Sequence, residues 1–161
     1  MLLEYADQGD ILSAGLWTDG RYYDKIFVPF SWSQMPDSIP KEFSDSFFMS
    51  SNQEDFFMTM EFHLRPFCER LWEAAGVSKD EIDHFLLHQP SMPLFEYSLR
   101  TLKAPREKVV NLFPQYGNLV AAEMPVYIAE GIRSGRIRRG DLVFALAYGA
   151  GFTMGGMVMR Y

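Results

Sequence analysis

The apolar residues of this sequence follow two different periods, and each period predicts one kind of element. Between residues 54 and 75 they recur every three or four positions, which places them on one face of a long amphipathic helix. Its apolar positions are Phe57, Met60, Leu64, Phe67 and Leu71. Pro66 predicts a kink in this helix, and Gly76 ends it, since glycine adopts the left-handed conformation at a helix terminus most easily.

Short apolar runs predict buried strands rather than helices. The predicted strands and extended pieces cover residues 2–6, 11–18, 25–29, 85–87, 109–113, 141–148 and 152–160. Two further helices are predicted over residues 91–102 and 119–133, and residues 30–52, rich in Ser, Pro and Asp, are predicted to form a long loop. Strands that alternate with helices indicate an α/β fold with a mixed sheet covered by helices.

Polar residues follow two of these predicted strands. His88-Gln89-Pro90 comes directly after residues 85–87, and Gly117-Asn118 comes after the strand predicted at 109–113 and a short turn. Because the carboxyl ends of parallel strands open into a common crevice, we expect the imidazole and the carboxamide to face the same space.

Composition and charge narrow the class of protein. With 161 residues, of which 48% are apolar, the chain is long enough for one domain with a packed core. A formal charge of −6 argues against a nucleic-acid partner. The single cysteine excludes an internal disulfide, and the sequence carries neither an export signal nor the run of about 18 apolar residues that a membrane span needs. These features predict a cytoplasmic protein without a membrane span.

Four sequence motifs occur in an order that resembles a known family. The chain resembles the C-terminal half of 3-oxoacyl-[acyl-carrier-protein] synthase III, the initiating condensing enzyme of the thiolase superfamily. The motifs that carry the resemblance are Gly9 to Gly20, His88-Gln89, Gly117-Asn118 with Ala121-Ala122, and Gly149 to Gly156.

The resemblance implies a thiolase-like fold and half of a larger enzyme. Residues 1–161 would form one C-terminal domain, and the N-terminal half, which carries the nucleophilic cysteine in this family, would lie outside them. The implied reaction is a decarboxylative Claisen condensation of an acyl thioester with a malonyl thioester in fatty acid or polyketide-type biosynthesis. The implied partners are the N-terminal half and acyl-carrier-protein or coenzyme A thioesters, with no tightly bound cofactor and a homo-oligomer as the complete enzyme.

The resemblance also assigns roles to individual residues. His88, through Nε2, and the side-chain amide of Asn118 would donate hydrogen bonds to the thioester oxygen on which charge develops. Loss of one such donor typically costs about 3–4 kcal/mol. Gly117 would let the backbone turn sharply enough to aim Asn118. The residues expected to line the substrate tunnel are Gln89, Gly117, Tyr148, Ser91 and Phe57.

Each of these residues also has a plainer interpretation. Alone, His88 would be an ordinary polar residue at a strand end, Asn118 would cap the following helix, and Tyr148 would be a core aromatic residue. Cys68 lies on the apolar helix face and is expected to be a buried, unreactive thiol. His84 and His88 have no third ligand nearby in the sequence, so we expect no metal site.

Several positions depart from the family pattern. Ser91 stands where the family usually has Asn, Pro93 replaces a basic residue, and Glu123 replaces a Ser. These changes keep His88 and Asn118 but alter the residues expected along the substrate tunnel and at the carrier. They indicate a specialised synthase with an unusual acyl group or carrier. Two alternatives remain open: an acyltransferase of the same fold that uses the histidine as a base, and a non-catalytic half that shapes the tunnel of its partner.

Overall fold

The computed structural model describes residues 9–23, 26–27, 50–51 and 53–161. Within these ranges the strands are β1 (Ile11–Thr18), β2 (Ile26–Phe27), β3 (Ser50–Ser51), β4 (His84–Leu87), β5 (Leu142–Gly149) and β6 (Thr153–Arg160). The helices are α1 (Gln53–Ala74), α2 (Met92–Leu102), α3 (Phe113–Tyr116) and α4 (Glu123–Arg133). Short 3-10 turns lie at Gly20–Tyr22, Lys79–Glu81, Arg106–Lys108 and Val120–Ala122.

Four of the described strands form a mixed sheet in the order β1-β6-β5-β4. Strand β6 pairs antiparallel with β1 and with β5, whereas β4 pairs parallel with β5. Strands β2 and β3 form a separate antiparallel pair. The mixed sheet with helices confirms the predicted α/β fold.

Helix α1 packs its apolar stripe against this sheet. Met60, Leu64, Phe67 and Leu71 are buried, as the helical period predicts. The approach is close at strand β6, where a Cβ added to Gly156 would lie 2.7 Å from Cδ1 of Leu71. The helix is followed by Gly76 at φ +67°, which confirms its predicted end.

Strand β5 divides the core between the two faces of the sheet. Phe144 and Leu146 belong to a cluster with helices α1 and α2, while Val143 and Ala145 belong to a second cluster with helix α4. Alternate residues of a strand point to opposite faces of the sheet. Strand β5 is therefore apolar on both faces and packs against helices on each side.

Helix α4 covers only part of the second face. An apolar cleft remains on it, lined by residues of β1, β5 and β6 together with Met124 of α4. Leu16 of β1 lies at this cleft and is 84% exposed. A contiguous apolar surface of this kind is typical of an interaction face.

Most predicted elements are confirmed to within one or two residues at each end. These are the strands at 11–18, 85–87, 141–148 and 152–160 and the helices at 54–75 and 91–102. The strand predicted at 2–6 lies outside the described residues. Of the extended piece at 25–29 only Ile26–Phe27 is described, and it is extended. Of the predicted loop at 30–52 only Ser50–Ser51 is described, and these residues form strand β3 instead.

The strand predicted at residues 109–113 is wrong. Val109 makes a single parallel bridge with Phe85, and the chain then enters helix α3 at Phe113. Gly117-Asn118 therefore follows a short helix and not a strand. The helix predicted from Leu119 begins only at Glu123, after the 3-10 turn Val120–Ala122.

The side chain of Gln89 explains why residues 109–113 do not form a strand. Its Oε1 accepts hydrogen bonds from the backbone N–H groups of Leu112 at 3.1 Å and Phe113 at 3.0 Å. Its Nε2 donates to the backbone oxygen of Val110 at 2.6 Å. Backbone groups that a strand would pair with a neighbour are thus satisfied by one buried carboxamide.

Among the described residues, no helix combines the length and the apolar character that crossing a membrane requires.

Candidate active site

His88 lies just beyond the end of strand β4. Its backbone N–H donates to the oxygen of Leu146 at 2.9 Å, which continues the parallel pairing with β5. Its side chain is 12% exposed. The ring meets Tyr148 of β5 edge-on, with centroids 5.0 Å apart and planes at 77°. The sheet therefore holds the imidazole at its edge in one orientation.

Glu123 is the residue that contacts the imidazole of His88. It is the first residue of helix α4, it is 1% exposed, and its Oε2 is hydrogen-bonded to Nδ1 of His88. Its Oε1 accepts the backbone N–H of Gln89 at 3.0 Å and the hydroxyl of Tyr127 at 2.8 Å. Both oxygens of this buried side chain therefore have hydrogen-bond partners within the site.

The hydroxyl groups of two tyrosines border this pair. Burial, and then the hydrogen bond to Glu123, raise the pKa of Tyr127 well above its usual value. Burial also raises the pKa of Tyr148, whose hydroxyl lies 3.3 Å from Oγ of Ser98. Because Ser98 donates its own proton to the oxygen of Leu94, Tyr148 is the donor in that contact. Both phenols are therefore neutral neighbours of His88 and Glu123.

Gln89 is fully buried, and each polar group of its side chain is hydrogen-bonded to the segment 110–113. This geometry makes Gln89 the connection between the end of β4 and the segment that leads to Asn118. The expected contact of Gln89 with substrate stays a prediction.

Gly117 and Asn118 form the turn between helices α3 and α4. Gly117 has φ +65° and ψ −152°, a conformation that favours glycine. Asn118 is exposed, and its Oδ1 accepts the backbone N–H of Val120 at 2.9 Å. The oxygen of the carboxamide thus caps the following turn, and its nitrogen is the group that can donate. The pairing of Asn118 with His88 on one oxyanion stays a prediction.

The other two residues expected in the tunnel have structural contacts. Oγ of Ser91 accepts the N–H of Leu94 at 3.4 Å and caps helix α2. The ring of Phe57 meets Tyr97 edge-on, with centroids 5.0 Å apart. Their roles toward a substrate stay predictions.

Cys68 is 0% exposed and belongs to the core between α1 and the sheet. Burial raises the pKa of its thiol well above the usual value, which keeps the thiol protonated. Its burial on the helix face confirms the sequence-based prediction. Within the part of the chain that the structure describes, no three His, Cys, Asp or Glu side chains gather as metal ligands would.

Sequence reasoning missed Glu123 as part of the site, because it treated the residue only as a replacement for Ser. One signal was present in the sequence: Glu123 lies four residues before Tyr127 on the apolar face of a helix. A carboxylate on such a face needs buried polar partners.

Comparison with known proteins identifies what this chain resembles. Residues 72–161 match the family described as 3-Oxoacyl-[acyl-carrier-protein (ACP)] synthase III C terminal. A beta-ketoacyl-[acyl-carrier-protein] synthase III of Alkalilimnicola ehrlichii is 33% identical over 161 residues, which are 100% of this chain and 49% of that protein. A protein of the same name from Bartonella tribocorum is 31% identical over 156 residues, 97% of this chain and 46% of that protein. The chain spans about half the length of the curated relatives it matches.

Solved structures share the same architecture. The 3-oxoacyl-[acyl-carrier-protein] synthase III from Aquifex aeolicus superposes with a TM-score of 0.79 at 25% identity, over 98% of this chain and 46% of that chain. The enzyme from Pseudomonas aeruginosa superposes with a TM-score of 0.78 at 22% identity, over 99% of this chain and 47% of that chain. The mixed sheet and its helices are thus one half of a thiolase-like α/β fold. The chain belongs to the C-terminal family of 3-oxoacyl-[acyl-carrier-protein] synthase III, which confirms the resemblance found in the sequence.

Proposed function

We propose that this chain is the C-terminal catalytic half of a synthase III-like enzyme, one that condenses an acyl thioester with malonyl-acyl-carrier protein and releases carbon dioxide. The observation that carries the proposal is the placement of His88. Its ring is fixed at the edge of the sheet by Tyr148 and Glu123, and its Nδ1 is engaged. Nε2 is the ring nitrogen left for a substrate.

The chemistry of the condensation explains what His88 and Asn118 contribute. Loss of carbon dioxide from the malonyl thioester leaves an enolate, whose negative charge develops on the thioester oxygen. An N–H group aimed at that oxygen stabilises the charge more in the transition state than in the substrate. Nε2 of His88 and Nδ2 of Asn118 are the two donors in this proposal.

The rest of the site is supplied by another polypeptide segment. The proposal assigns the nucleophilic cysteine to an N-terminal half, since Cys68 is buried with a raised pKa. An apolar cleft lies on the second face of the sheet, where Leu16 is exposed. This cleft supports an extensive interface with a partner at that face. Acyl-carrier-protein or coenzyme A thioesters are the proposed substrates, without a tightly bound cofactor, and the complete enzyme is proposed to be a homo-oligomer.

The proposal is tested on a fusion that joins the N-terminal half of the Alkalilimnicola ehrlichii relative to these 161 residues. The measurement is release of carbon dioxide from a malonyl thioester by the fusion, by its His88→Ala variant and by its Asn118→Ala variant. Each substitution is expected to lower the rate about a hundredfold or more. A folded fusion that releases no carbon dioxide, or variants that keep the unsubstituted rate, would overturn the proposal.

A second candidate function is acyl transfer to a hydroxyl or amine without decarboxylation. The contact between Glu123 and Nδ1 of His88 favours it, since a carboxylate in that position orients an imidazole to act as a base. Release of carbon dioxide from the malonyl thioester by the fusion would count against this candidate.

A further inference from the structure

The two carboxylate oxygens of Glu123 have different partners. This difference determines which atom carries the proton in the contact between Glu123 and His88. Oε1 accepts two hydrogen bonds, from the N–H of Gln89 at 3.0 Å and from the hydroxyl of Tyr127 at 2.8 Å. Oε2 faces Nδ1 of His88. One proton is needed in that contact, and an imidazole binds a proton more tightly than a carboxylate does. The proton therefore belongs to Nδ1, which donates to Oε2.

We infer that Glu123 is a positioning residue that fixes the tautomer of His88. Neutral His88 carries its proton on Nδ1, so that Nε2 is an acceptor, and Nε2 becomes a donor only when the ring is an imidazolium. The oxyanion donor at this site is then a cation held beside the buried carboxylate of Glu123.

The groups that face His88 and Glu123 are compatible with a proton on Nδ1 of His88. Tyr148 of β5 faces the ring of His88, and Tyr127 of α4 and the backbone of Gln89 face Glu123. Burial raises the pKa of both tyrosines well above the usual value, so their hydroxyls stay neutral across the pH range in which an imidazole titrates. Both tyrosines are therefore neutral neighbours of the pair.

The catalytic meaning of the tautomer rests on the proposed function. The lone pair on Nε2 takes the proton of the nucleophilic thiol: the S–H bond breaks, the Nε2–H bond forms, and a thiolate and an imidazolium result. The thiolate attacks the acyl thioester and expels the carrier thiolate, which takes up a proton from solvent. The Nε2–H group formed in the first step then donates a hydrogen bond to the enolate oxygen. Glu123 thus makes one imidazole a base first and a donor afterwards.

The substitution Glu123→Gln tests the inference sharply, because the orientation of the new amide is dictated by its neighbours. The amide oxygen must take the place of Oε1, where two donors point, so the NH₂ group takes the place of Oε2. An NH₂ group donates to Nδ1, and the proton of neutral His88 must then move to Nε2. The matched control is Glu130→Gln, on the same helix, where the carboxylate pairs with Arg133.

The measurement is the ¹⁵N NMR spectrum of the imidazole rings in the 161-residue chain at a pH where His88 is neutral. His63→Gln and His84→Gln variants assign the signals. We expect Nε2 to show the downfield shift of an unprotonated nitrogen in the wild type and in Glu130→Gln, and Nδ1 to show it in Glu123→Gln. If Glu123→Gln does not fold, the wild-type spectrum decides: an unprotonated Nε2 supports the inference, and an unprotonated Nδ1 overturns it.

The outcomes separate this inference from the proposed function. A wild-type spectrum with the proton on Nε2 would overturn the inference, whatever the variants show. So would a folded Glu123→Gln variant with the wild-type tautomer. A fusion that releases no carbon dioxide would overturn the proposed function and leave the tautomer of His88 unaffected.

Discussion

The buried carboxylate of Glu123 is hydrogen-bonded to Nδ1 of His88, a residue 35 positions earlier in the chain. The contact joins the end of strand β4 to the start of helix α4, and the backbone N–H of Gln89 donates to the same carboxylate. The geometry of the candidate site therefore depends on a residue that does not itself reach the reacting atoms in our proposal.

Removal of the Glu123 carboxylate is expected to destabilise the fold strongly. Glu123→Ala leaves three groups without their partner: Nδ1 of the partly buried His88, and the buried N–H of Gln89 and hydroxyl of Tyr127. Loss of one member of a buried pair typically costs about 3–5 kcal/mol. Urea unfolding measures the effect, and Glu130→Ala on the same helix is the control, with an expected change below about 1 kcal/mol. Equal losses in the two variants would contradict the account of the pair.

A second prediction concerns the carboxamide of Gln89. Gln89→Met keeps the length of the side chain but removes its hydrogen bonds to Val110, Leu112 and Phe113. Each buried backbone group left unpaired costs about 1–3 kcal/mol. We expect faster hydrogen exchange at the amide of Leu112 and a lower free energy of unfolding, whereas the amide of Phe113 keeps a second acceptor, Oδ1 of Asn111 at 3.2 Å. Gln115→Met, at an exposed position in helix α3, is the control, and similar exchange rates in both variants would refute the role of Gln89.

The close contact of helix α1 with strand β6 gives a third prediction. In Gly156→Ala the new Cβ would lie 2.7 Å from Cδ1 of Leu71 and 3.2 Å from the backbone oxygen of Ala145. Overpacking of this kind typically costs about 1–3 kcal/mol. Gly149→Ala is the matched control, because an added Cβ there meets nothing within 4 Å. Thermal unfolding that shifts equally in the two variants would contradict the packing described.

The fourth prediction concerns acid stability and Asp141. The backbone N–H of Arg138 and, next among the favourable contacts, Nε2 of His84 hold the pKa of Asp141 below its usual 3.8. A lowered pKa in the folded state stabilises the fold above the unfolded-state value, and this contribution disappears as the pH falls through the folded-state value. The difference in unfolding free energy between wild type and Asp141→Asn is therefore expected to shrink as the pH is lowered from about 6 to about 3. A difference that stays constant over this range would rule out the linkage.

The main elements could be predicted from the sequence because their signals are local. The apolar stripe from Met60 to Leu71 and the apolar runs of strands β4 and β5 depend only on the period of neighbouring residues. Residues 109–113 have the same apolar character, yet the side chain of Gln89 takes the hydrogen bonds that a strand would make there. The conformation of residues 109–113 therefore depends on a contact with a residue that is distant in the sequence. The local pattern of apolar residues does not contain that information.

The candidate site could be predicted only in part, because some of its contacts join residues that are distant in the sequence. His88 was recognised from its place after an apolar run and from its family motif, and the structure places it at the end of β4. Glu123 was not recognised, because its partner His88 is 35 positions away and a lone Glu at the start of a helix is common. Its burial is a property of the packed fold.

The most direct test of the central claim is product formation by the two halves. The measurement compares 3-oxoacyl product from the 161-residue chain alone, from the fusion with the N-terminal half of the Alkalilimnicola ehrlichii relative, and from the fusion carrying His88→Ala. His84→Ala, which removes a histidine paired with Asp141, is the control. The account predicts no product from the chain alone, product from the fusion, a loss of about a hundredfold or more with His88→Ala, and little change with His84→Ala. Product from the chain alone, or a fusion as active with His88→Ala as without it, would contradict the account.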